Sequence, residues 1–319
     1  MTLDDLELEQ TPDVAATRSL GDVLADLREG DLGDSRVARL SDLSREDARA
    51  VARAWASFPE ETREAIVRRI DELSEERIDV NFRRALRIAL DDDSPAVRQL
   101  AVAALWEEDS SEMLERFEQL LDADPSEDVR AQAAAALERY TARAAEGDLG
   151  EEETEQLRAR LLEATSPHEP LVVQRRAIEA LGPLGGEPQI RDLITEFYES
   201  DEQALRCSAI YAMGRSLQPG WLPDILAELE NDEAELRYEA ARAAGALGSQ
   251  DALPGLLSAA RDDDAEVRHA AIAAIGQIGG RGGVRALERL ADDAEEADLE
   301  LIESTIEDVN SLLDPFGSE

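Results

Sequence analysis

The chain has no lysine and a single cysteine, Cys207, so an intrachain disulfide is excluded and all 33 cationic side chains other than histidine are arginines. Its two histidines, His168 and His269, stand far apart, and with one cysteine they make no recognisable zinc-ligand spacing. No apolar run approaches the ~18 residues of a membrane span. The opening residues Met1-Thr2-Leu3-Asp4-Asp5-Leu6-Glu7 are acidic and carry none of the features of a secretory signal. Positive charge is scarce overall: 74 acidic residues face 33 basic ones, for a formal net charge of −41. Duplex DNA and anionic membranes are therefore poor partners. Such self-repulsion disfavours a compact state unless salt screens it, and at 1 M the Debye length falls to about 3 Å. The composition leads us to expect a cytoplasmic protein of a halophile, the alternative being an acidic protein from a high-GC genome.

What is abundant is one repeated phrase. A branched aliphatic, an arginine, two variable residues, alanine, two more, alanine, an aliphatic and usually glycine recur six times, as in Val267-Arg268-His269-Ala270-Ala271-Ile272-Ala273-Ala274-Ile275-Gly276. With the arginine as position zero, the copies start at Arg98, Arg130, Gln174, Arg206, Arg237 and Arg268, at spacings of 32, 44, 32, 31 and 31. A fixed period near 31 predicts stacked structural units. Alanine fills position +3 (Ala101, Ala133, Ala177, Ala209, Ala240, Ala271) and position +6 (Ala104, Ala136, Ala180, Ala212, Ala243, Ala274) in every copy.

At 100° per residue, positions −1, +3, +4, +6 and +7 share one arc of a helix, which is the predicted buried face. Alanine on its flanks lets neighbouring helices approach to about 8–10 Å. The arginine points into this arc, where a guanidinium needs a hydrogen-bonded acceptor. Six residues upstream of four copies stand Asp92, Asp124, Asn231 and Asp262, each in the turn before the helix.

These residues resemble the HEAT repeat family, in the short form also found in phycobilisome lyases. The motifs that carry the resemblance are Asp124-Pro125-Ser126-Glu127-Asp128-Val129-Arg130 and Asp262-Asp263-Asp264-Ala265-Glu266-Val267-Arg268, each followed by the alanine pattern. The resemblance covers about residues 60 to 313 and implies an all-α superhelix of about seven to eight helical hairpins. It also implies that the Asp and Arg positions form a structural ladder between repeats: Asp92, Arg98, Asp124, Arg130, Arg206, Asn231, Arg237, Asp262 and Arg268. The family spans adaptors, scaffolds, lyases and glycosylases, so it specifies the fold more closely than the function.

Residues 1–17 are acidic, lack a helical period and are expected to be disordered. An irregular helical cap is predicted over 18–91, with a short helix near Leu20 to Arg28. Ser44-Arg45-Glu46-Asp47 reads as a capping box opening a helix to Phe58, where Pro59 stops it; two more helices follow at 60–74 and 76–91. The repeat solenoid is predicted over 92–313, with a tail at 314–319. Hairpins are expected at about 76–107, 110–145, 151–182, 187–216, 221–248, 251–279 and 281–313. The 44-residue spacing is expected to hold an acidic loop at 146–153 where the superhelix bends. The copy after it has His168 and Gln174 at the ladder positions, which predicts a local break.

Chemistry has little to stand on. His168-Glu169 is similar to the His-Glu pairs of HEAT-type deoxyhypusine hydroxylases, but the chain has one such pair, which does not make an iron site. Gly276 to Gly283 is glycine-rich, yet no strand precedes it and it occupies a repeat turn, so it is not a phosphate loop. Trp106 and Trp221 are expected to pack into the repeats. The face formed by positions +1, +2 and +5, which the resemblance places on the concave wall, carries Arg175, Arg176, Tyr211, Tyr238, Arg242 and His269 in successive repeats. Arginine and tyrosine favour desolvated contacts, and in concentrated salt recognition falls to short-range bidentate hydrogen bonds and stacking. The sequence thus leads us to expect a non-enzymatic scaffold or adaptor that binds a protein segment on this stripe and uses no cofactor. The alternative is a lyase or lyase subunit related to the bilin lyases, for which Cys207 is the one candidate nucleophile.

Overall fold

A computed structural model describes residues 18–292, 294 and 296–313. The tails expected at 1–17 and 314–319 lie outside the described residues. Among these the chain is all-α, with eighteen α-helices and no strand. Contacts divide it into two compact units, one up to Glu108 and one from Asp109 on.

The N-terminal unit contains α1 (Leu20–Arg28), α2 (Asp34–Val37), α3 (Arg45–Trp55), α4 (Glu60–Glu76), α5 (Arg83–Ala89) and α6 (Pro95–Ala104). Ser44 caps α3, its Oγ accepting from the Asp47 backbone N–H at 3.0 Å. That helix ends at Trp55 rather than Phe58, and α5 begins at Arg83 rather than near 76. The reason for the later start is local. Asn81 N–H donates to Ser41 Oγ at 2.8 Å, and Asp42 N–H donates to the Asn81 carbonyl at 2.9 Å. Arg77 is paired with Asp79. These bonds hold 77–82 out of the helix and leave Ile78 fully exposed while Phe82 is buried.

The C-terminal unit is a run of helical hairpins: α7 (Ser111–Ala123) with α8 (Glu127–Glu146), α9 (Glu151–Ala164) with α10 (Leu171–Leu181), and α11 (Pro188–Tyr198) with α12 (Gln203–Arg215). Three more follow: α13 (Leu222–Glu228) with α14 (Ala234–Leu247), α15 (Leu253–Ala259) with α16 (Ala265–Ile278), and α17 (Gly280–Ala291) with α18 (Glu296–Leu313). The second helices pack on one another in sequence from α8 through α10, α12, α14 and α16 to α18. Positions −1, +3, +4 and +7 form their core, as Val267, Ala271, Ile272 and Ile275 do in α16, all fully buried. Burial of this kind stabilises by about 25 cal/mol per Å² of apolar surface.

Glycine at position +8 sets the spacing of the later repeats. A Cβ on Gly214 would lie 2.7 Å from Ala243 Cα, and one on Gly245 would lie 2.8 Å from Ala274 Cα. The +8 glycine of one repeat thus receives the +6 alanine of the next. In the copies that begin at Arg98 and Arg130 this position is Trp106 and Glu138.

The acidic segment 146–153 is half helix, and its loop is confined to 147–150. Glu146 ends α8, Gly147 caps it with φ 82°, and α9 starts at Glu151. The long spacing is absorbed by a 20-residue α8 and a 14-residue α9. Glu151, Glu152 and Glu153 look like a solvated loop in sequence, but they form the first turn of α9, where carboxylates suit the positive end of the helix dipole. Trp106 also departs from expectation: it lies in the turn past Leu105, the C-cap of α6, and is 58% exposed. Trp221 is buried in the turn before α13. Among the described residues no helix is long and apolar enough to cross a membrane.

Candidate interaction face

The position-zero arginines first clamp their own turns. Nη1 of Arg98 donates to the Asp92 and Asp93 carbonyls at 2.8 and 3.1 Å. Arg237 does the same to Asn231 and Asp232 at 2.8 and 2.9 Å, and Arg268 to Asp262 and Asp263 at 3.1 and 3.3 Å. Gln174, lacking the charge, still reaches the Glu169 carbonyl at 2.7 Å. The position −6 side chain closes the same turn. Asp92, Asp124, Asn231 and Asp262 each accept from the backbone N–H two residues on, at 2.8 to 2.9 Å.

The remaining guanidinium donors cross to the next hairpin. Arg237 Nε and Nη2 grip the Asp262 carboxylate at 2.7 and 2.8 Å, and Arg268 Nε meets Asp298 at 2.7 Å. Arg237 and Arg268 hold the carboxyls of Asp262 and Asp298 below the usual aspartate range, chiefly through these hydrogen bonds. Where the repeating acid is lost, another replaces it. Asn231 offers no charge to Arg206, and Glu228 at the end of α13 takes that role at 3.0 Å, held by Tyr198 Oη and Asn231 Nδ2, each at 2.7 Å. Arg130 pairs with Glu169, the neighbour of exposed His168. From Arg130 the ladder thus passes the position where His168 suggested a break, because Glu169 is one residue further on with a longer side chain, whereas Gln174 bonds its own turn.

Sequence reasoning missed Arg63, Glu169, Glu228 and Asp298. Arg63 meets Asp92 at 2.8 and 3.0 Å, and Trp55 Nε1 donates to the same carboxylate at 2.6 Å. A signal existed: Arg63 has Ile66 and Ile70 at +3 and +7, but without alanines the phrase was hidden.

The six stripe residues fall into three groups. Arg175 Nε donates to Ser208 Oγ at 3.1 Å, Ser208 Oγ donates to Glu179 at 2.7 Å, and Arg176 pairs with the same carboxylate at 2.7 Å. In the centre the exposed Arg242 guanidinium lies over the rings of Tyr211 and Tyr238, 5.5 and 5.6 Å from their centroids, and bonds Glu239 at 3.1 Å. His269 stands apart, its Nε2 2.9 Å from Asp298, and so joins the ladder. The structure adds two residues the stripe lacked. Glu138, on the position +8 site of α8, accepts from Tyr211 Oη at 2.9 Å and from Arg215 Nε at 2.5 Å.

Beside the tyrosines lies a cleft of about 350 Å³ lined by Arg175, Cys207, Tyr238, Glu239, Asp264 and Glu266, among others. Burial raises the Glu239 carboxyl against the pull of Arg242. It also raises the Tyr211 hydroxyl, with Glu138 adding to the effect. The Cys207 thiol is pushed up to about 11, first by burial and then by Glu239 and Glu235. Among the described residues no group of three or more metal-ligating side chains is assembled.

No curated protein matches this sequence. Solved structures with a similar course include the CpcE–CpcF phycocyanin lyase complex of Nostoc sp., with 17% identity, coverage of 97% of this chain and 100% of that one, and a TM-score of 0.45. Human deoxyhypusine hydroxylase has 19% identity, coverage of 83% and 96%, and a TM-score of 0.36. Kap121p bound to Nup53p has 12% identity, coverage of 94% of this chain and 38% of that one, and a TM-score of 0.46. The HEAT repeats family matches residues 54–138, 82–168 and 222–305, more than half of the sequence, and with the stacked hairpins described above this places the chain in the HEAT repeat family.

Proposed function

We infer that this is a non-enzymatic HEAT-repeat scaffold whose partner is a protein segment lying across Arg175, Arg176, Tyr211, Tyr238 and Arg242. The observation that carries the reading is the Arg242 guanidinium, exposed yet fixed over two tyrosine rings beside an open cleft. Pre-set aromatic and guanidinium groups lose little entropy on binding and are the side chains that dominate desolvated contacts. Glu239 occupies one edge of the guanidinium, and the other donors remain for a carboxylate or backbone carbonyl of the partner. The lyase alternative would use Cys207 as its nucleophile. A buried thiol with its pKa near 11 stays protonated at neutral pH, which favours the scaffold.

Affinity purification from native extract in molar salt, with mass spectrometry of what co-elutes, tests this reading. The wild type is compared with an Arg242→Ala, Tyr238→Ala variant. Tyr211 is left intact because it also holds Glu138. A stoichiometric partner lost only in the variant supports the reading. A partner retained equally by both places the contact elsewhere, and a chromophore bound to the wild type would favour the lyase.

A further inference from the structure

Glu138 makes a bond that the later repeats have no side chain to make. At position +8 of the phrase, the copies from Arg130 onward carry Glu138, Gly182, Gly214, Gly245 and Gly276. The Glu138 carboxylate reaches over the following repeat to α12, where Tyr211 Oη donates to its two oxygens at 2.9 and 3.1 Å and Arg215 Nε donates at 2.5 Å. Gly182 keeps the passage open, since a Cβ there would lie 2.9 Å from Arg215 Cβ and 3.1 Å from Ala212 Cα. Both α8 and α12 pack on the turn that Gly182 begins. Repeats of a solenoid otherwise bond to their immediate neighbours, so a tie that skips one adds a constraint to the stack of α8, α10 and α12.

That constraint bears on Tyr211. The two rings under Arg242 are placed by different means. Tyr238 stands four residues before Arg242 on α14, where helix geometry alone brings the side chains together. Tyr211 comes from α12, and its ring is free to change rotamer unless its far end is held. Among the described residues Glu138 is the hydrogen-bond partner of its hydroxyl, and Arg215 orients that carboxylate through a charge-assisted bond. The Glu138 side chain is only 20% exposed, so water competes little for these bonds. We propose that Glu138 is the positioning residue of the interaction face: it locks α12 against α8 across Gly182 and so holds the Tyr211 ring under the Arg242 guanidinium. A group that must meet a partner in one orientation needs its rotamer fixed by bonds of this kind. The consequence for binding rests on the scaffold reading above; the positioning itself does not.

The Nε–Hε resonance of Arg242 reads the positioning without any partner. Ring currents from both tyrosines shift it, an Arg242→Lys variant assigns it, and Tyr211→Ala and Tyr238→Ala give the share due to each ring. Glu138→Ala should lose the share that Tyr211→Ala loses, although the ring is still there. Tyr211→Phe, which removes the hydroxyl alone, should do the same. Glu138→Gln keeps the reach and an acceptor and should retain most of the shift, whereas Glu138→Asp keeps the charge but is one methylene too short and should not. The Arg237 resonance, in the ladder, should stay in place throughout. A wild-type Arg242 resonance in Glu138→Ala and Tyr211→Phe overturns the proposal. So does an Arg237 resonance that moves in step with it, which would mean that the unit has merely loosened. In the affinity purification, Glu138→Ala should recover several-fold less partner than the wild type. A partner kept by Glu138→Ala but lost by the Arg242→Ala, Tyr238→Ala variant overturns the role in binding and leaves the scaffold reading intact. A partner kept by both overturns the binding face instead, while the spectra still decide the tie.

Discussion

The joints from α12 to α16 and the joint from α8 to α10 are built from the same repeat by different means. In the former, a glycine receives the next repeat's alanine and a bidentate Arg237–Asp262 pair closes the turn layer. In the latter, Glu138 replaces the glycine, and Glu169 does the work of the aspartate for Arg130. The regular joint relies on close backbone approach, which tolerates almost no added volume. The irregular joint relies on long side chains: Glu169 reaches Arg130, while Glu138 passes beyond α10 to Tyr211 and Arg215 on α12. A repeat can lose its signature residues when a neighbouring acid supplies the same charge to the same donor.

The largest expected effect comes from removing such a substitute acid. Glu228→Ala strands Arg206, Tyr198 and Asn231 together in a partly buried layer and should cost about 2–4 kcal/mol. Chemical denaturation measures it, and a loss no greater than that of an exposed Glu→Ala would show that the contact layer contributes little.

Next comes the close approach. Gly214→Ala sets a methyl group against the backbone of Ala243, and the strain should outweigh the helix-propensity gain by a net 1–2 kcal/mol, roughly. Gly276→Ala meets only the Thr305 methyl, and turning that side chain away costs its hydroxyl's bond to the Leu301 carbonyl, so a smaller loss of about 0.5–1 kcal/mol is expected. Equal effects at both positions would remove the distinction between backbone and side-chain contact.

Acid should act in two stages. Glu118 and Glu239 have carboxyl pKa values raised, in both cases chiefly by burial, so the folded chain takes up their protons first and stability rises as pH falls toward their unfolded values. Asp262 and Asp298 have depressed values, so below the unfolded aspartate range, about 3.9, the unfolded chain binds more protons and their contribution is lost. Thermal melts from pH 7 to 2 should therefore pass through a maximum in mild acid, and Asp262→Asn should flatten the final fall.

The smallest effect is also the least intuitive. Restoring the repeating aspartate with Asn231→Asp keeps the turn bond to Glu233 but replaces a donor to Glu228 with a like charge. A loss of about 0.5–1 kcal/mol is expected despite the better match to the repeat. Stabilisation instead would mean that Glu228 is only a bystander.

Much of this architecture could be read from the sequence. The period of the phrase, the alanine columns and the Ser44 cap located the hairpins, because backbone approach and helix amphipathicity are properties of short segments. The loop expected at 146–153 is shorter, 147–150, because acidic residues suit a solvated loop and a helix N-terminus equally well. Arg63 went unrecognised because its repeat lacks the alanine columns.

The candidate site was less legible for a different reason. The sequence determined which side chains share the outer face of each second helix, since that follows from 100° per residue. It did not determine that Arg242 would sit over both Tyr211 and Tyr238, that Glu138 would tie two distant repeats, or that His269 would join the ladder. Nor did it reveal that Trp106 would stand exposed beside Ile78. Those outcomes depend on how far each hairpin is displaced and rotated against its neighbour, and that is decided by the packing of many repeats at once.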